Sequence, residues 1–453
     1  MGHMDTLRRL DAVAKRLILM RGLRSVGQGA MVVDLTLYLK DLHWSAIAIG
    51  GVTSAAGLVG AALILLVGVL SDRLGRRPFL LIYEALTMLS AILASLTPKA
   101  LVLIFAIVIA GFGRGQSGGA GPFSPAEQAW LARHVPQRDR GAVFSVNNAI
   151  AFTGMALGAL IGGVPSLLHG LTPVADYRPV FLMVGGFSFL CMVILLQTPE
   201  SPYPVRSQPE SSTDQQVDRE WLGQESSPTG TGFAEQMGRH PDLPSKSAQE
   251  REILRRENRA MLKLALVNTL NGLAVGLTGP MMAYWFSIRY GVSTGAIGVT
   301  LAVGFLVTGF FSLLSGVLAK RVGMVRSVTW MRVVGSLFML ALPWMPTFSL
   351  AAVLYVFRNA INRGTQGNRS ALGASLTRDK RRGLATSINA LSMRLPSSIG
   401  PTLTGYMFDA GWLALPLLLT ASLQLVNAGI YQWVFGAMDH AQDVHNPVDQ
   451  RLG

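Results

Sequence analysis

One charged run occurs twice in this chain. Gly68-Val69-Leu70-Ser71-Asp72-Arg73-Leu74-Gly75-Arg76-Arg77 joins two long apolar segments, and it returns as Gly316-Val317-Leu318-Ala319-Lys320-Arg321-Val322-Gly323 between two others. Ser45 and Gly50 fall on Ser293 and Gly298 at the same offset. A second echo links Arg140-Gly141, Ser145 and Asn147 with Arg382-Gly383, Ser387 and Asn389. Internal symmetry of this kind calls for a fold assembled from two copies of one unit, each with a charged turn at the same place.

The surroundings of the repeat decide what the units are made of. Half of the 453 residues are hydrophobic and only 14% are charged, and the mean hydropathy is +0.40, too apolar for a water-soluble globular chain. A helix needs about 20 apolar residues to cross ~30 Å of hydrocarbon. Stretches of that kind lie at 22–40, 45–70, 78–97, 100–123, 142–167 and 179–198, and again at 262–287, 293–319, 327–346, 348–371, 384–408 and 412–436. The expected fold is therefore an all-α integral membrane protein with twelve transmembrane helices in two pseudo-symmetric six-helix bundles, residues 1–198 and 261–438. Residues 199–260 change character. From Ser201 to Ser247 the chain is rich in Ser, Pro, Gln and Glu with too little apolar content to bury a core, which predicts a largely disordered linker ending in a juxtamembrane helix. Residues 439–453 form a tail.

The net charge of +14 lies mostly on one side of this arrangement. Arg73, Arg76, Arg77, Arg138, Arg140, Lys320, Arg321, Arg381 and Arg382 share a side, whereas the opposite loops hold Lys40, Lys99, Arg178 and Arg289. This bias predicts that both termini and the linker are cytoplasmic, in a prokaryotic inner membrane, and that the basic side contacts anionic membrane lipids. No basic helix stands apart to enter a nucleic-acid groove, so nucleic acid is excluded as a partner. Cys191, the single cysteine, lies in an apolar span and allows neither an intramolecular disulfide nor a cysteine metal cluster. No cofactor or metal is expected, and the scattered histidines form no catalytic constellation. With both bundles in one chain, a monomer suffices for function.

The loop Gly68-x-x-x-Asp72-Arg73-x-Gly75-Arg76-Arg77 resembles the signature loop of the major facilitator superfamily between spans 2 and 3, and Gly316 to Gly323 matches its weaker copy between spans 8 and 9. The resemblance covers nearly the whole chain and implies the major facilitator fold. Gly154-x-x-x-Gly158-Ala159-x-x-Gly162-Gly163 is similar to the glycine-rich motif of drug:proton antiporters, departing where those usually carry proline. Glycines at four-residue spacing also let membrane helices approach closely with no further role. Arg114 is similar to a buried arginine implicated in proton coupling in the same exporters. The resemblance further implies a gating role for the loop residues, with Asp72 accepting hydrogen bonds from the start of span 11 near Gly383 and Leu384 when the cytoplasmic side is closed.

Ionisable residues within spans point to chemistry, because each is costly to hold in hydrocarbon. Asp34, Glu84 and Arg114 are the candidates for proton coupling, Asp34 foremost; for Glu84 a structural ion pair is the favoured alternative. Arg332 occupies the position equivalent to Glu84 in the second half. Arg358 and Arg394 lie near the middle of spans 10 and 11 with no acid in that half's membrane core. They point either to an anionic ligand, onto which guanidinium groups fork, or to pairing with Asp34 and Glu84 across the cavity. Gln28, Tyr38, Asn147, Asn268, Asn271, Tyr284 and Asn389 are candidate cavity residues, most of them equally suited to interhelical bonds. Gly279-Pro280, Pro396 and Pro401 are candidate helix breaks.

The sequence thus predicts a non-enzymatic secondary active transporter that moves a small organic solute with protons by alternating access. Proton-coupled export of a drug-like or metabolite solute is the first expectation. Uptake or exchange of an organic anion through Arg358 and Arg394 is the alternative, and a transporter-like receptor or scramblase is a third of another class.

Overall fold

The computed structural model describes residues 10–112, 124–135, 140–167, 172–200, 246–366, 369 and 382–444. Within helices, the side chains of residues 68, 69, 72–74, 124–125, 140–142, 173–174, 246–249, 312–321, 382–386 and 437–444 are outside this description. Its regular elements are helices. The first half holds α1 (Ala12–Asp41), α2 (Ala46–Leu74), α3 (Arg77–Leu96), α4 (Ala100–Ala110), α5 (Ser124–Arg133), α6 (Arg140–Ile161) and α7 (Pro173–Leu196). The second holds α8 (Lys246–Thr278), α9 (Met282–Tyr290), α10 (Thr294–Val322), α11 (Met324–Ala341), α12 (Phe348–Gly364), α13 (Arg382–Asp409) and α14 (Leu415–Val444). Seven helical stretches among the described residues are long and apolar enough to cross a membrane. Residues 1–199 and 257–453 make one compact unit and 200–256 a second, in which Arg256 pairs with Glu252 at 2.8 Å. The segment 201–245, expected to be a linker, lies outside the described residues.

The repeated turn has a conformational cause. Gly75 ends α2 with φ 89° and ψ 162°, and Gly323 precedes α11 with φ 96° and ψ 151°. This region is essentially open to glycine alone, so the same residue returns at the same bend. Arg77 then donates from Nε and Nη2 to the carbonyls of Leu195 and Leu196 at 3.0 and 2.5 Å, satisfying the free C-terminal carbonyls of α7. Arg76 is buried. The side chains of Gly68, Asp72 and Arg73, and the start of α13 where Asp72 was expected to bond, lie outside the description.

Glycines set how closely the helices pack. A Cβ on Gly29 would run into the carbonyl of Met155, and Cβ atoms on Gly154 and Gly158 would meet the carbonyls of Gly22 and Val26. The glycine stripe of α6 is thus filled by the backbone of α1. At the far end of the stripe, a Cβ on Gly163 would sit 3.0 Å from Cα of Gly295, and one on Gly298 would sit 2.5 Å from the Ala159 carbonyl, so the same stripe also seats α10 of the other half. Small residues let backbones approach in this way where lipid supplies no hydrophobic drive between helices.

The two halves meet along α2 and α13. A Cβ on Gly50 would strike the Pro401 carbonyl, one on Gly57 would lie 2.6 Å from Ser398 Oγ, and one on Gly405 would strike the Ala46 carbonyl. Contact positions climb in one helix as they fall in the other, so the pair is antiparallel. Ser54 Oγ accepts from the Thr402 amide at 3.1 Å and lies 2.7 Å from Thr402 Oγ1. At the start of α2, Asp409 bridges the halves: its Oδ1 accepts from the Ala46 amide at 2.9 Å and its Oδ2 from the Ile47 amide at 2.8 Å. Lys40 Nζ donates to Ser287 Oγ at 2.7 Å at the same end.

The proline-based breaks divide. Between α8 and α9 the helix stops at Thr278 and restarts at Met282, so Gly279-Pro280 interrupts it as expected. Pro396 and Pro401 do not. α13 runs unbroken from Arg382 to Asp409 through both prolines. Membrane helices absorb proline where neighbouring groups re-satisfy the freed carbonyls.

Candidate functional site

α12 shows how the sequence aims a cation inward. Leu350, Val353 and Phe357 are exposed on one face, while Ala351, Tyr355 and Arg358 are buried on the other. The helical period of 3.6 carries that inner face on to Asn362. Gly335 of α11 lets α12 come close, since a Cβ there would lie 3.3 Å from Asn362 Nδ2. On the opposite wall, α8 and α13 are drawn together because Cβ atoms on Gly272 and Gly276 would overlap the carbonyls of Met393 and Ser397. This packing brings Asn271, Met393, Arg394 and Ser397 to one place.

The result is a cavity of 140 Å³. Four arginines line it: Arg358 on α12, Arg363 at its end, Arg369 beyond it and Arg394 on α13. Five carboxamides join them, those of Asn271, Asn359, Asn362, Gln366 and Gln424, with the hydroxyls of Thr53, Ser397 and Ser398. No Asp or Glu is among the described lining residues. The first half contributes Thr53, Gly57 and Phe112, so the cavity lies between the halves. Gly279 and Pro280, at the helix break, also line it.

Hydrogen bonding leaves much of this charge unspent. Arg358 Nη1 donates to Asn359 Oδ1 at 3.1 Å, and the Arg363 guanidinium lies 5.5 Å above the Phe305 ring. Nε of Arg358, Nη1 of Arg363 and Nε of Arg369 are buried with no hydrogen-bond partner among the described residues. Asn362 Nδ2 donates to Gln424 Oε1 at 2.9 Å. Buried donors left without acceptors carry their full desolvation cost unless a ligand supplies the acceptors.

The acids that were candidate partners for these arginines are elsewhere. Glu84 is held by Arg24 of α1, whose Nε donates to Glu84 Oε1 at 2.7 Å, while Nη1 of the same guanidinium donates to Glu127 Oε2 at 2.5 Å. The guanidinium also lies 5.7 Å from the centre of the Tyr83 ring. Asp34 is fully buried, with neither carboxyl oxygen bonded among the described residues. Its Oδ2 lies 3.3 Å from where a Cβ on Gly162 would stand, against the glycine stripe of α6 and outside the cavity. Arg332 donates to Asn427 Oδ1 and lies 5.8 Å from the centre of the Tyr431 ring, so it does not face Glu84. Arg114 lies outside the described residues.

The remaining candidates sort by position. Asn271, Arg358 and Arg394 line the cavity. Tyr38 does not: its ring packs 5.2 Å from both Tyr177 and Phe181 in the core of the first half. Tyr284 stacks on Phe408 at 6.0 Å. Asn268 Nδ2 bonds Asn389 Oδ1 at 2.5 Å and joins α8 to α13. Asn147 is buried outside the cavity lining. Gln28 lines a smaller hollow of 30 Å³ beside Arg24 and Tyr83. Phe112 lines both spaces and forms a wall between them. Arg363, Arg369, Arg24 and Glu127 were not among the sequence candidates.

The Major Facilitator Superfamily family model matches residues 17–358 and 264–451. The chain is 24% identical over 432 residues to the uncharacterised membrane protein YJR124C of Saccharomyces cerevisiae, covering 92% of each chain. It is 30% identical over 159 residues to inositol transporter 4 of Arabidopsis thaliana, which is 35% of this chain and 25% of the relative. In fold it is similar to the crystal structure of a point mutant of the nucleoside transporter NupG, with a TM-score of 0.67 and 13% identity over 93% of this chain and 100% of that one. With a duplicated helical bundle, glycine-lined interfaces and an arginine-lined cavity where the halves meet, the chain belongs to the Major Facilitator Superfamily and is an integral membrane transporter.

Proposed function

We propose that this transporter carries a small organic anion by alternating access, with both termini on the cytoplasmic side and six spans in each half. The observation that carries the reading is the cavity between the halves: four guanidinium groups, three of them with a donor unbonded among the described residues, and no carboxylate among the described lining residues. Glu84 and Glu127 do not neutralise it, since both are taken by Arg24. Fixed cations in a site of low dielectric favour anions and repel cations by several kcal/mol, which argues against a lipophilic cationic drug as the cargo. A bilobed transporter needs no new contact to release such a cargo, because parting the halves hydrates the arginines.

The test is counterflow into proteoliposomes with a panel of small organic anions, their neutral amides or esters, and lipophilic cations. Uptake confined to anions and lost in Arg358→Gln and Arg394→Gln supports the reading. Equal uptake of neutral or cationic compounds, indifferent to both substitutions, rules it out.

A further inference from the structure

Resting on that reading, we propose that the anion is a phosphorylated sugar or polyol. The charge comes first. Four arginines facing one cavity exceed what a single carboxylate can answer, and a monoanion would leave most of their charge standing. A phosphate monoester brings close to two negative charges near neutral pH and three terminal oxygens, each able to accept from more than one guanidinium. Nε of Arg358, Nη1 of Arg363 and Nε of Arg369 have no acceptor among the described residues, and they belong to guanidinium groups that line the cavity.

The amides decide what the rest of the molecule is. Asn271, Asn359, Gln366 and Gln424 line the same cavity, and each carboxamide both donates and accepts. A dicarboxylate or inorganic phosphate offers almost only acceptors, which suits arginine and leaves the carboxamide oxygens of Asn271 and Gln366 facing more acceptors, while those of Asn359 and Gln424 already accept from Arg358 and Asn362. Sugar hydroxyls donate and accept in turn and match the amides. Phe112, Val275, Met393 and the prolines Pro280 and Pro401 give the lining more apolar than polar surface, against which the carbon faces of a sugar ring can pack.

The experiment compares glucose 6-phosphate, glucose, inorganic phosphate and succinate as ligands of the purified full-length protein, by thermal shift and by competition in proteoliposome counterflow. Glucose 6-phosphate is expected to bind at least about tenfold more tightly than each of the other three, the scale of one charge-assisted hydrogen bond. Arg394→Gln should weaken glucose 6-phosphate and inorganic phosphate together. Asn271→Leu, and Gln366→Leu at a more exposed position, should weaken glucose 6-phosphate about tenfold and leave inorganic phosphate unchanged. Succinate or inorganic phosphate binding as well as glucose 6-phosphate would overturn this class and leave anion transport standing. Glucose binding as well as its phosphate would overturn both. No shift with any ligand, for protein whose own melting shows it folded, also overturns the class, as does a loss of inorganic phosphate binding in both amide variants.

Discussion

Arg24 answers two carboxylates at once, and all three groups are buried. A buried ion cluster adds little over a well-packed apolar one, but removing one member leaves uncompensated charge and costs about 3–5 kcal/mol. Arg24→Leu is therefore expected to lower the unfolding midpoint of the purified protein sharply, with Glu84→Gln milder because Glu127 still holds the guanidinium. An Arg24→Leu protein as stable as the parent would show that the cluster is no structural tie. Asp34 makes the contrasting case. With no cation or donor bonded to it among the described residues, its carboxyl contributes nothing to packing that asparagine would not. We expect Asp34→Asn to fold and to exchange solute while substrate-dependent proton movement in proteoliposomes falls to background; proton movement at the parent rate would remove Asp34 from coupling. Glu84 was legible as a charge within a span, yet its partner was not. Arg24 lies near the middle of α1 but at the start of the expected span 22–40, where it reads in a sequence as a basic flank, and only packing shows that this part of the helix is already buried.

At the scale of the element, α12 and its continuation carried a signal that charge counting passed over. Arg358, Asn362, Gln366 and Arg369 recur at three- and four-residue steps, with Asn359 and Arg363 beside them, which is a polar stripe on one helix face. Arg363 and Arg369 near the end of a span pass for topology signals, so the sequence pointed to two of the four cavity arginines and missed two. The α2/α13 pair was half legible. A carboxylate at a helix start was expected from Asp72; the one described is Asp409, which receives the first two amides of α2 at the other end of the same pair. A charge at a helix N-terminus is worth about 0.3–1 kcal/mol, and up to ~2 when partly buried. Because the contact joins the halves, Asp409→Asn should shift the population toward opening at that end by roughly two- to thirtyfold. The readout is the labelling rate of Thr53→Cys in the cavity by an impermeant thiol reagent added from the Ala46 side, with Cys191 buried and silent. An unchanged rate would mean that Asp409 caps a helix without holding the gate.

For the molecule as a whole, the duplication was legible because each copy must make the same bend, and Gly75 and Gly323 keep the backbone that only glycine takes there. How the copies face each other was not, since helix contacts depend on which glycines meet which carbonyls. Those contacts say which parts have to separate. Ser54 of the first half and Thr402 of the second lie with their hydroxyl oxygens 2.7 Å apart, both on short side chains at the α2/α13 seam. A disulfide needs its sulfurs about 2.05 Å apart with Cβ atoms about 3.5–4.5 Å apart, a geometry within reach of two short side chains already in contact. If solute passes by parting the halves along this seam, the double variant Ser54→Cys with Thr402→Cys should transport when reduced, stop when oxidised, and recover with reductant. Binding would outlast transport in the oxidised protein, because the cavity arginines lie on α12, just beyond it and on α13, and need no movement of α2. Oxidised protein, verified as cross-linked by mass, that still transports at the reduced rate would show that the halves do not part at this seam, and the alternating-access reading would have to place its hinge there instead of its gate.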